Sequence, residues 1–148
     1  MAKISYPLEG ACRCGMTRIE ISSDPLVTSA CHCRGCQKMS SSAFSLTAIM
    51  PAPAFRVLAG TPVVGGAKGP ELDHYFCPDC MTWMFTRLKG MDNLVNVRTA
   101  LFDDPDLNEP FIETQTAEKL SWAKTPAKHS FERFPPMEHF QKLMINVN

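Results

Sequence analysis

Short runs in which apolar and polar residues alternate recur along most of the chain. A period of two residues places every second side chain on the same face of a strand, so each run predicts a half-buried β-strand. Glycine, proline and aspartate residues typical of turns separate these runs. The predicted strands cover residues 16–21, 26–30, 44–50, 55–58, 72–76, 82–87, 94–99 and 111–116.

Helical patterns are scarce by comparison. Residues 137–144 predict a helix, because two prolines precede them and apolar residues then recur three and four positions apart. Shorter helical turns are expected at 37–42 and 118–122, and 65–70 is expected to form a hairpin loop or a mobile flap. The pattern therefore predicts a mainly β fold with short helical turns and one C-terminal helix.

Composition narrows the class of protein. The chain has 148 residues, 45% of them hydrophobic and 20% charged, which is typical of a single globular domain over 1–148. Its 15 basic and 15 acidic side chains balance, so charge favours neither nucleic acid nor an anionic membrane as a partner. No apolar run resembles a signal peptide or approaches the length of a bilayer span. We expect a soluble cytoplasmic protein, whose oligomeric state the sequence leaves open.

Seven cysteines are the main chemical signal of the sequence. Thiols stay reduced in the cytoplasm, and an odd number would leave one unpaired in a disulfide framework. Inert core cysteines are an alternative, but such residues would be scattered rather than grouped. Thiols one or two residues apart are typical of a metal site, above all a zinc site. They form three groups: Cys12 and Cys14; Cys31, Cys33 and Cys36; Cys77 and Cys80.

The number of thiols predicts two zinc sites of different kinds. A structural zinc has four protein ligands, whereas a catalytic zinc has three and an open position. The two outer pairs would supply four thiolates and join distant parts of the chain, which leaves the middle triplet for the second site. The expected structural ligands are Cys12, Cys14, Cys77 and Cys80, and the expected ligands of the open zinc are Cys31, Cys33 and Cys36.

Histidines could change this division of ligands. His32 lies between two cysteines of the triplet, and in an extended segment its side chain would point away from theirs. It would then be a hydrogen-bond partner of the ligands or a surface residue, whereas a sharp turn would make it the fourth ligand. His74 and His129 have no cysteine neighbours in sequence, but the fold could bring either one to the triplet and close it.

An open zinc with three thiolate ligands suits a thiol substrate. Zinc deprotonates a bound thiol and holds the thiolate beside an electrophile. Activation of water is an alternative, although sulfur ligands favour a sulfur guest. Arg34 and Lys38 lie near the triplet in sequence, and each could hold a substrate carboxylate or be a solvated charge. No residue stands out as a general acid or base.

Three motifs occur in a fixed order: Gly-x-Cys-x-Cys-Gly, Cys-His-Cys-x-x-Cys and Phe-Cys-Pro-x-Cys. Together they resemble the glutathione-dependent formaldehyde-activating enzyme family, which includes centromere-protein-V-like proteins. The resemblance implies an Mss4-like, mainly β fold with two zincs per chain, a structural one on the outer pairs and a catalytic one on the triplet. It also implies a carbon–sulfur lyase reaction in which glutathione and formaldehyde give S-hydroxymethylglutathione.

The chain departs from the family pattern in two segments. The family often has glycine after the last cysteine pair, where this chain has Met81, and in the loop after the triplet, where it has Ser40, Ser41 and Ser42. A positive φ at Met81 would cost on the order of 1 kcal/mol. The serines border the expected open zinc, so the substrates are left as glutathione or a similar thiol, with formaldehyde or another small aldehyde.

A different class of function is compatible with the same motifs. If a fourth protein ligand closed the second site, both zincs would be structural and the chain would be a non-catalytic module that recruits a partner. The triplet could also be empty or oxidised, since three ligands bind a metal ion less tightly than four. The coordination of the triplet therefore discriminates between an enzyme and a binding module.

Overall fold

The fold consists of β-sheets with a short and a longer helix. The computed structural model describes residues 4–66 and 69–147. The helices are α1 (Arg34–Ser40) and α2 (Met137–Val147), and short 3₁₀ turns lie at Ala52–Ala54, Thr99–Leu101 and Thr116–Glu118. The strands are β1 (Leu8–Ala11), β2 (Arg18–Ile21), β3 (Val27–Cys31), β4 (Ser45–Pro51), β5 (Phe55–Ala59), β6 (Val63–Gly65), β7 (Leu72–Phe76), β8 (Trp83–Leu88), β9 (Leu94–Arg98), β10 (Ile112–Thr114) and β11 (His129–Ser130).

The strands form a small sheet and a large one. The small sheet is antiparallel, in the order β1-β2-β5, and the large sheet has the order β11-β10-β3-β4-β9-β8-β7-β6. Strand β10 runs parallel to both of its neighbours, whereas the other pairs of the large sheet are antiparallel. This parallel pairing brings a late segment of the chain beside β3, the strand that ends at the cysteine triplet.

The main hydrophobic core lies between the two sheets. Ile19 and Ile21 of β2 are fully buried in it, together with Met50 of β4 and Val95 and Val97 of β9. Alternation along the strands places these three large-sheet residues on one face. That face is therefore apolar and covered by the small sheet.

The opposite face of the large sheet changes character from one end to the other. At one end an apolar cluster packs under α2, which contributes Leu143. Further along β3 the same face reaches Cys31, four residues after Val27. Helix α2 thus covers one end of this face and leaves the other end to polar residues. The strand residues of the apolar cluster are Val27, Ile49, Leu94 and Ile112.

The predicted mainly β fold with a C-terminal helix is confirmed. Each of the eight predicted strands is present, with ends within two residues of the predicted ones. Alternation does not predict β1, β6 or β11, which have four, three and two residues. Strands β6 and β7 form the hairpin expected around 65–70, although residues 67 and 68 of that loop lie outside the described residues.

The helical predictions are confirmed in part. Helix α2 begins at Met137 as predicted and continues to Val147. The turn expected at 118–122 is a 3₁₀ turn a little earlier, at Thr116–Glu118. The prediction for 37–42 is wrong about its start, because α1 begins at Arg34, inside the cysteine triplet. No helix in the described part of the chain is long and apolar enough to cross a membrane.

Candidate metal centres

Two tight turns place the four outer cysteines around one point. Cys12 and Cys14 follow β1 of the small sheet, and Cys77 and Cys80 follow β7 of the large sheet. All four Sγ atoms lie within 4.8 Å of one another, with 3.6 Å between Cys12 and Cys14 and 3.8 Å between Cys14 and Cys77. A tetrahedral metal with bonds of about 2.3 Å to sulfur needs sulfur–sulfur distances of about 3.8 Å. The group could therefore hold a metal ion.

The two turns share a backbone pattern. In each one the backbone N–H of the first cysteine donates to the carbonyl oxygen five residues later, at 3.0 Å. The residue after the second cysteine has a positive φ in both turns, +82° at Gly15 and +60° at Met81. The positive φ considered for Met81 is therefore present. A methionine there carries strain on the order of 1 kcal/mol that a glycine avoids.

Threonine hydroxyls favour charged sulfurs in this group. Thr82 Oγ1 lies 3.1 Å from Cys80 Sγ, and this contact is the main cause that lowers the pKa of Cys80 to about 5. The Thr17 hydroxyl is buried without a hydrogen-bond partner of ordinary geometry, and its proximity lowers the pKa of Cys77. Both hydroxyls stabilise thiolates, the form of cysteine that binds a metal ion.

The other three cysteines lie where β3 ends and α1 begins. Cys31 is the last residue of β3, Cys33 caps α1, and the backbone N–H of Cys36 donates to Cys33 Sγ at 3.3 Å. The three Sγ atoms lie within 4.8 Å of one another, and each residue is partly exposed. No histidine or carboxylate of the described residues joins them. The structure brings the predicted triplet together, one ligand short of a tetrahedral set.

The surroundings of the triplet favour a thiolate at Cys31, whereas burial raises the pKa of Cys33. The Cys36 thiol donates to Cys31, which lowers the pKa of Cys31 to about 5 and raises the pKa of Cys36. The Thr114 hydroxyl further lowers the pKa of Cys31, and the Ser45 hydroxyl opposes the rise at Cys36. Thr114 and Ser45 flank Cys31 on the two neighbouring strands, and both hydroxyls are buried with no other partner in the described part of the chain. These orphaned donors fit a group of charged sulfurs.

His32 is fully buried, so its surface alternative is wrong. Its Nε2 lies 2.8 Å from Glu113 Oε1 and its ring packs edge-on against Phe44, whereas its Nδ1 has no hydrogen-bond partner among the described residues. The carboxylate can only accept, so Nε2 carries the proton in this contact. The imidazole does not belong to the cysteine group. It supports the turn between Cys31 and Cys33 from behind.

His74 and His129 do not close the triplet either. His74 Nδ1 lies 2.8 Å from Thr86 Oγ1. Burial is the main cause that lowers the pKa of His74, and the charge of Arg98 lowers it further. His129 is exposed on β11 and its ring packs against Phe111. Neither imidazole lies in the cysteine group, so the alternative of a site closed by one of them is not supported.

Glu113 on β10 is a buried carboxylate that sequence reasoning missed. Burial alone would raise its pKa, but its hydrogen bonds and a nearby lysine outweigh burial and lower the pKa. The charged carboxylate thus connects three later segments of the chain to the turn of the triplet. Its donors are His32 Nε2 at 2.8 Å, Ser130 Oγ at 2.6 Å, Thr125 Oγ1 at 3.1 Å and Lys119 Nζ at 3.5 Å.

Arg98 lies on the same face of the large sheet as the triplet. It pairs with Thr47 of β4, and the next residue of β4 on that face, Ser45, pairs with the first cysteine of the triplet. Arg98 is buried, and its guanidinium carbon lies 3.9 Å from the centroid of the Trp83 ring. Burial lowers the pKa of Arg98 to about 10, against the effect of the triplet thiolates, so the side chain is charged at neutral pH.

The residues singled out for their proximity to the triplet are mostly exposed. Arg34 contacts the Gln37 side chain, and its backbone N–H donates to Glu118 Oε1 at 2.9 Å. Lys38 is exposed in the last turn of α1. These positions fit the alternative of solvated charges. Ser41 ends α1 with φ of +51°, so this departure from the family pattern also falls on a left-handed residue.

Comparison with protein families and curated proteins gives consistent matches. Residues 7–118 match the family described as "Glutathione-dependent formaldehyde-activating enzyme". Two curated fungal proteins, both named "Putative glutathione-dependent formaldehyde-activating enzyme", are each 30% identical to this chain. The match to the Penicillium rubens protein covers 75% of this chain and 53% of that protein. The match to the Emericella nidulans protein covers 55% of this chain and 46% of that protein. The chain therefore spans about half the length of these relatives.

A solved structure shares the fold. The crystal structure of a Rhodobacter sphaeroides protein, a structural genomics target, superposes with a TM-score of 0.56. The superposition covers 70% of this chain and 97% of that protein, at 21% sequence identity. At this identity the likeness concerns the fold alone, and it agrees with the mainly β architecture described above.

Proposed function

This chain belongs to the glutathione-dependent formaldehyde-activating enzyme family, and we propose that it is an enzyme that joins a small thiol, such as glutathione, to formaldehyde. Cys31, Cys33 and Cys36 would hold a zinc ion with an open position for the thiol. Cys12, Cys14, Cys77 and Cys80 would hold a second zinc that stabilises the fold.

The observation that carries this proposal is the different number of ligands in the two cysteine groups. One group offers four sulfurs, whereas the other offers three with no further histidine or carboxylate among the described residues. Four protein ligands close a zinc site, and three leave a position for a substrate. A module that only recruits a partner has no need of an open position, so the three-ligand group favours an enzyme.

The donor atoms fit zinc at both sites. Every ligand is a sulfur atom, which favours soft or borderline metal ions over magnesium or calcium. The sulfur–sulfur distances of 3.6 and 3.8 Å in the four-cysteine group match a tetrahedral zinc thiolate. At the triplet, zinc supplies an electrophilic position that lowers the pKa of an incoming thiol. Because the ligands must stay reduced, we place the protein in the cytoplasm.

The proposed reaction forms one carbon–sulfur bond. The sulfur of the thiol attacks the formaldehyde carbon, and the electron pair of the carbonyl double bond moves to the oxygen. The proton lost by the thiol ends on that oxygen, so the product is a hemithioacetal, the S-hydroxymethyl derivative of the thiol, and no oxidant is needed. The reverse reaction breaks the same bond and releases formaldehyde, which places the enzyme among the carbon–sulfur lyases.

The chain's own residues hold the triplet for this chemistry. Glu113 and His32 fix the turn between the first two cysteines through the 2.8 Å contact of the imidazole with the carboxylate. The buried hydroxyls of Ser45 and Thr114 face the sulfurs and stabilise their charge. The site is therefore shaped before the substrate arrives, which reduces the free energy spent on ordering it.

A titration of the cobalt-substituted protein with glutathione tests the proposal. We expect a saturable change in the visible absorption of cobalt when the thiol enters the triplet site. S-methylglutathione, which has no free thiol, should give no change, and the Cys36→Ser variant should lose the response. Formation of the S-hydroxymethyl product from carbon-13 formaldehyde is then followed by NMR. A protein without any thiol-dependent change would instead support the non-catalytic module.

A further inference from the structure

Arg98 is a buried cation that forms no ion pair with any of the described residues. Of the lysines and arginines in the described ranges, it alone is buried, with 8% of its surface exposed. Its Nε makes no hydrogen bond, and none of the ion pairs among the described residues includes it. A buried guanidinium is normally paired, because burial removes its hydration. The described residues around Arg98 therefore do not supply the negative charge that normally accompanies a buried guanidinium.

The contacts of Arg98 leave its N–H groups available. Trp83 covers one face of the guanidinium, with 3.9 Å between the guanidinium carbon and the ring centroid. The five N–H donors lie in the guanidinium plane, so stacking on a ring does not satisfy them. The neighbouring strand residue on the same face, Thr47, is also buried and polar. A hydrogen-bond acceptor in the plane of the guanidinium would satisfy these N–H groups.

The negative charges that act on Arg98 belong to the cysteine triplet. The thiolates of Cys36 and Cys31 oppose the effect of burial on the pKa of Arg98, while His74 beside it is held neutral by burial and by Arg98 itself. Three thiolates around a dication leave a net negative charge, and an anion in the open position would add another. Without a nearby cation, this repulsion would disfavour a thiolate relative to a neutral ligand.

We propose that Arg98 determines the charge of the ligand that enters the open position of the triplet, favouring an anion such as a thiolate over a neutral donor. Its buried guanidinium, whose Nε has no hydrogen-bond partner among the described residues, lies on the sheet face that carries Cys31 and compensates the added negative charge. This inference rests on the proposed function and deepens it. Arg98 would then determine specificity by stabilising the negative charge on the sulfur of the incoming ligand.

The test compares ligand affinities of the cobalt-substituted protein and its variants. The ligands are glutathione, 2-mercaptoethanol, thiocyanate and imidazole, each titrated by visible absorption. Arg98→Gln should weaken the two thiols and thiocyanate by about tenfold or more, and leave neutral imidazole unchanged. Arg98→Lys keeps the charge and should retain most of the affinity for anions. Cobalt content and thermal stability are measured for every variant.

Arg87 provides a matched control. It also stacks on aromatic rings, 5.5 Å from the centroid of Phe85 and 5.9 Å from that of Phe55. It lies one residue along β8 from Thr86, on the face that packs against the small sheet and away from the triplet. Arg87→Gln should therefore leave all four affinities unchanged.

Other outcomes would overturn the inference in distinguishable ways. Equal anion affinities in the parent and Arg98→Gln would refute it and leave the proposed function standing. A loss confined to glutathione would assign Arg98 to a substrate carboxylate, and an equal loss for imidazole would assign it a purely structural role. If the parent protein bound thiocyanate but neither thiol, the proposed function would fail, whereas the charge selectivity would still be measured with thiocyanate against imidazole.

Discussion

The two cysteine groups differ in how the chain assembles them. The four-cysteine group joins two turns, and Cys14 and Cys77 are 63 residues apart in the sequence. The triplet lies within residues 31–36, and distant strands supply only its surroundings, including Glu113 and Arg98. A metal ion in the first group therefore connects the two sheets, whereas one in the triplet connects residues that are already neighbours. We therefore expect the four-cysteine group to contribute mainly to the stability of the fold and the triplet mainly to its chemistry.

Removing one ligand from each group should give the largest contrast. Cys77→Ser should lower the free energy of unfolding by on the order of 5 kcal/mol or more, because metal binding at a site formed only in the folded state is also folding free energy. Cys36→Ser should lose about one metal ion per chain and keep a melting temperature close to that of the parent. Circular dichroism melts and metal analysis measure both.

Two results would break this contrast. A Cys77→Ser variant as stable as the parent would show that the four-cysteine group does not support the fold. An unchanged metal content in Cys36→Ser would show that the triplet holds no metal ion. All seven cysteines belong to the two groups, so each further Cys→Ser variant should follow the behaviour of its own group.

Removing the charge of Glu113 should have an intermediate effect, confined to the side of the triplet. In Glu113→Gln an amide N–H₂ replaces one acceptor oxygen and faces other donors. This change should lower the free energy of unfolding by about 2 kcal/mol at neutral pH. The folded pKa of Glu113 lies below its unfolded value of about 4.3, so this stabilisation is fully present above about pH 5. It is lost as pH falls through the folded pKa.

Urea unfolding of the parent and Glu113→Gln at several pH values measures this difference. Acid weakens the cysteine groups of both proteins alike, so the difference between them isolates the carboxylate. Glu109→Gln is a suitable control, because that side chain is exposed. A parent–variant difference that stayed constant from pH 7 to pH 3 would contradict the role of a charged Glu113.

Relieving the strain at Met81 should give the smallest effect, on the side of the four-cysteine group. Met81→Gly should raise the free energy of unfolding by about 0.5–1 kcal/mol, since glycine adopts φ of +60° without strain but loses more chain entropy on folding. Gly15→Ala tests the equivalent position of the other turn. A Cβ at Gly15 meets no atom within 4 Å, so only its φ of +82° opposes the change.

Both variants are compared with the parent by urea unfolding at constant metal content. Gly15→Ala should be destabilised by about the amount that Met81→Gly gains. If both changes lowered the stability, the two turns would not be equivalent and the strain assigned to Met81 would be wrong.

The alternation of apolar and polar residues predicts where the strands lie, but it does not predict which strands are neighbours in the sheet. Alternation places Arg98 in a strand and on one face of it, but only the strand order β3-β4-β9 brings that face beside Cys31. Glu113 likewise falls within the predicted strand 111–116. Its contact with His32 depends on the parallel pairing of β10 with β3, which no local residue pattern encodes.

The cysteine groups themselves are predictable because their spacing reflects the chemistry of a single turn. The two departures from glycine are informative for the same reason, since Ser41 and Met81 both have a positive φ. The direction of the His32 side chain is also predictable, because Cys33 has extended φ and ψ of −62° and 152° and the imidazole stays out of the cysteine group. Its burial against Glu113 is not predictable from the spacing, since that contact depends on the pairing of β10 with β3.

The division of one sheet face into an apolar and a polar end has an evolutionary consequence. Strand β3 carries Val27 under α2 and Cys31 of the triplet, and strand β4 carries Ile49 under α2 and Ser45 beside Cys31. Substitutions at the polar end can therefore alter ligand preference without disturbing the cluster under the helix. Sequences that share this arrangement can therefore vary at the polar end while they keep the residues that pack under the helix.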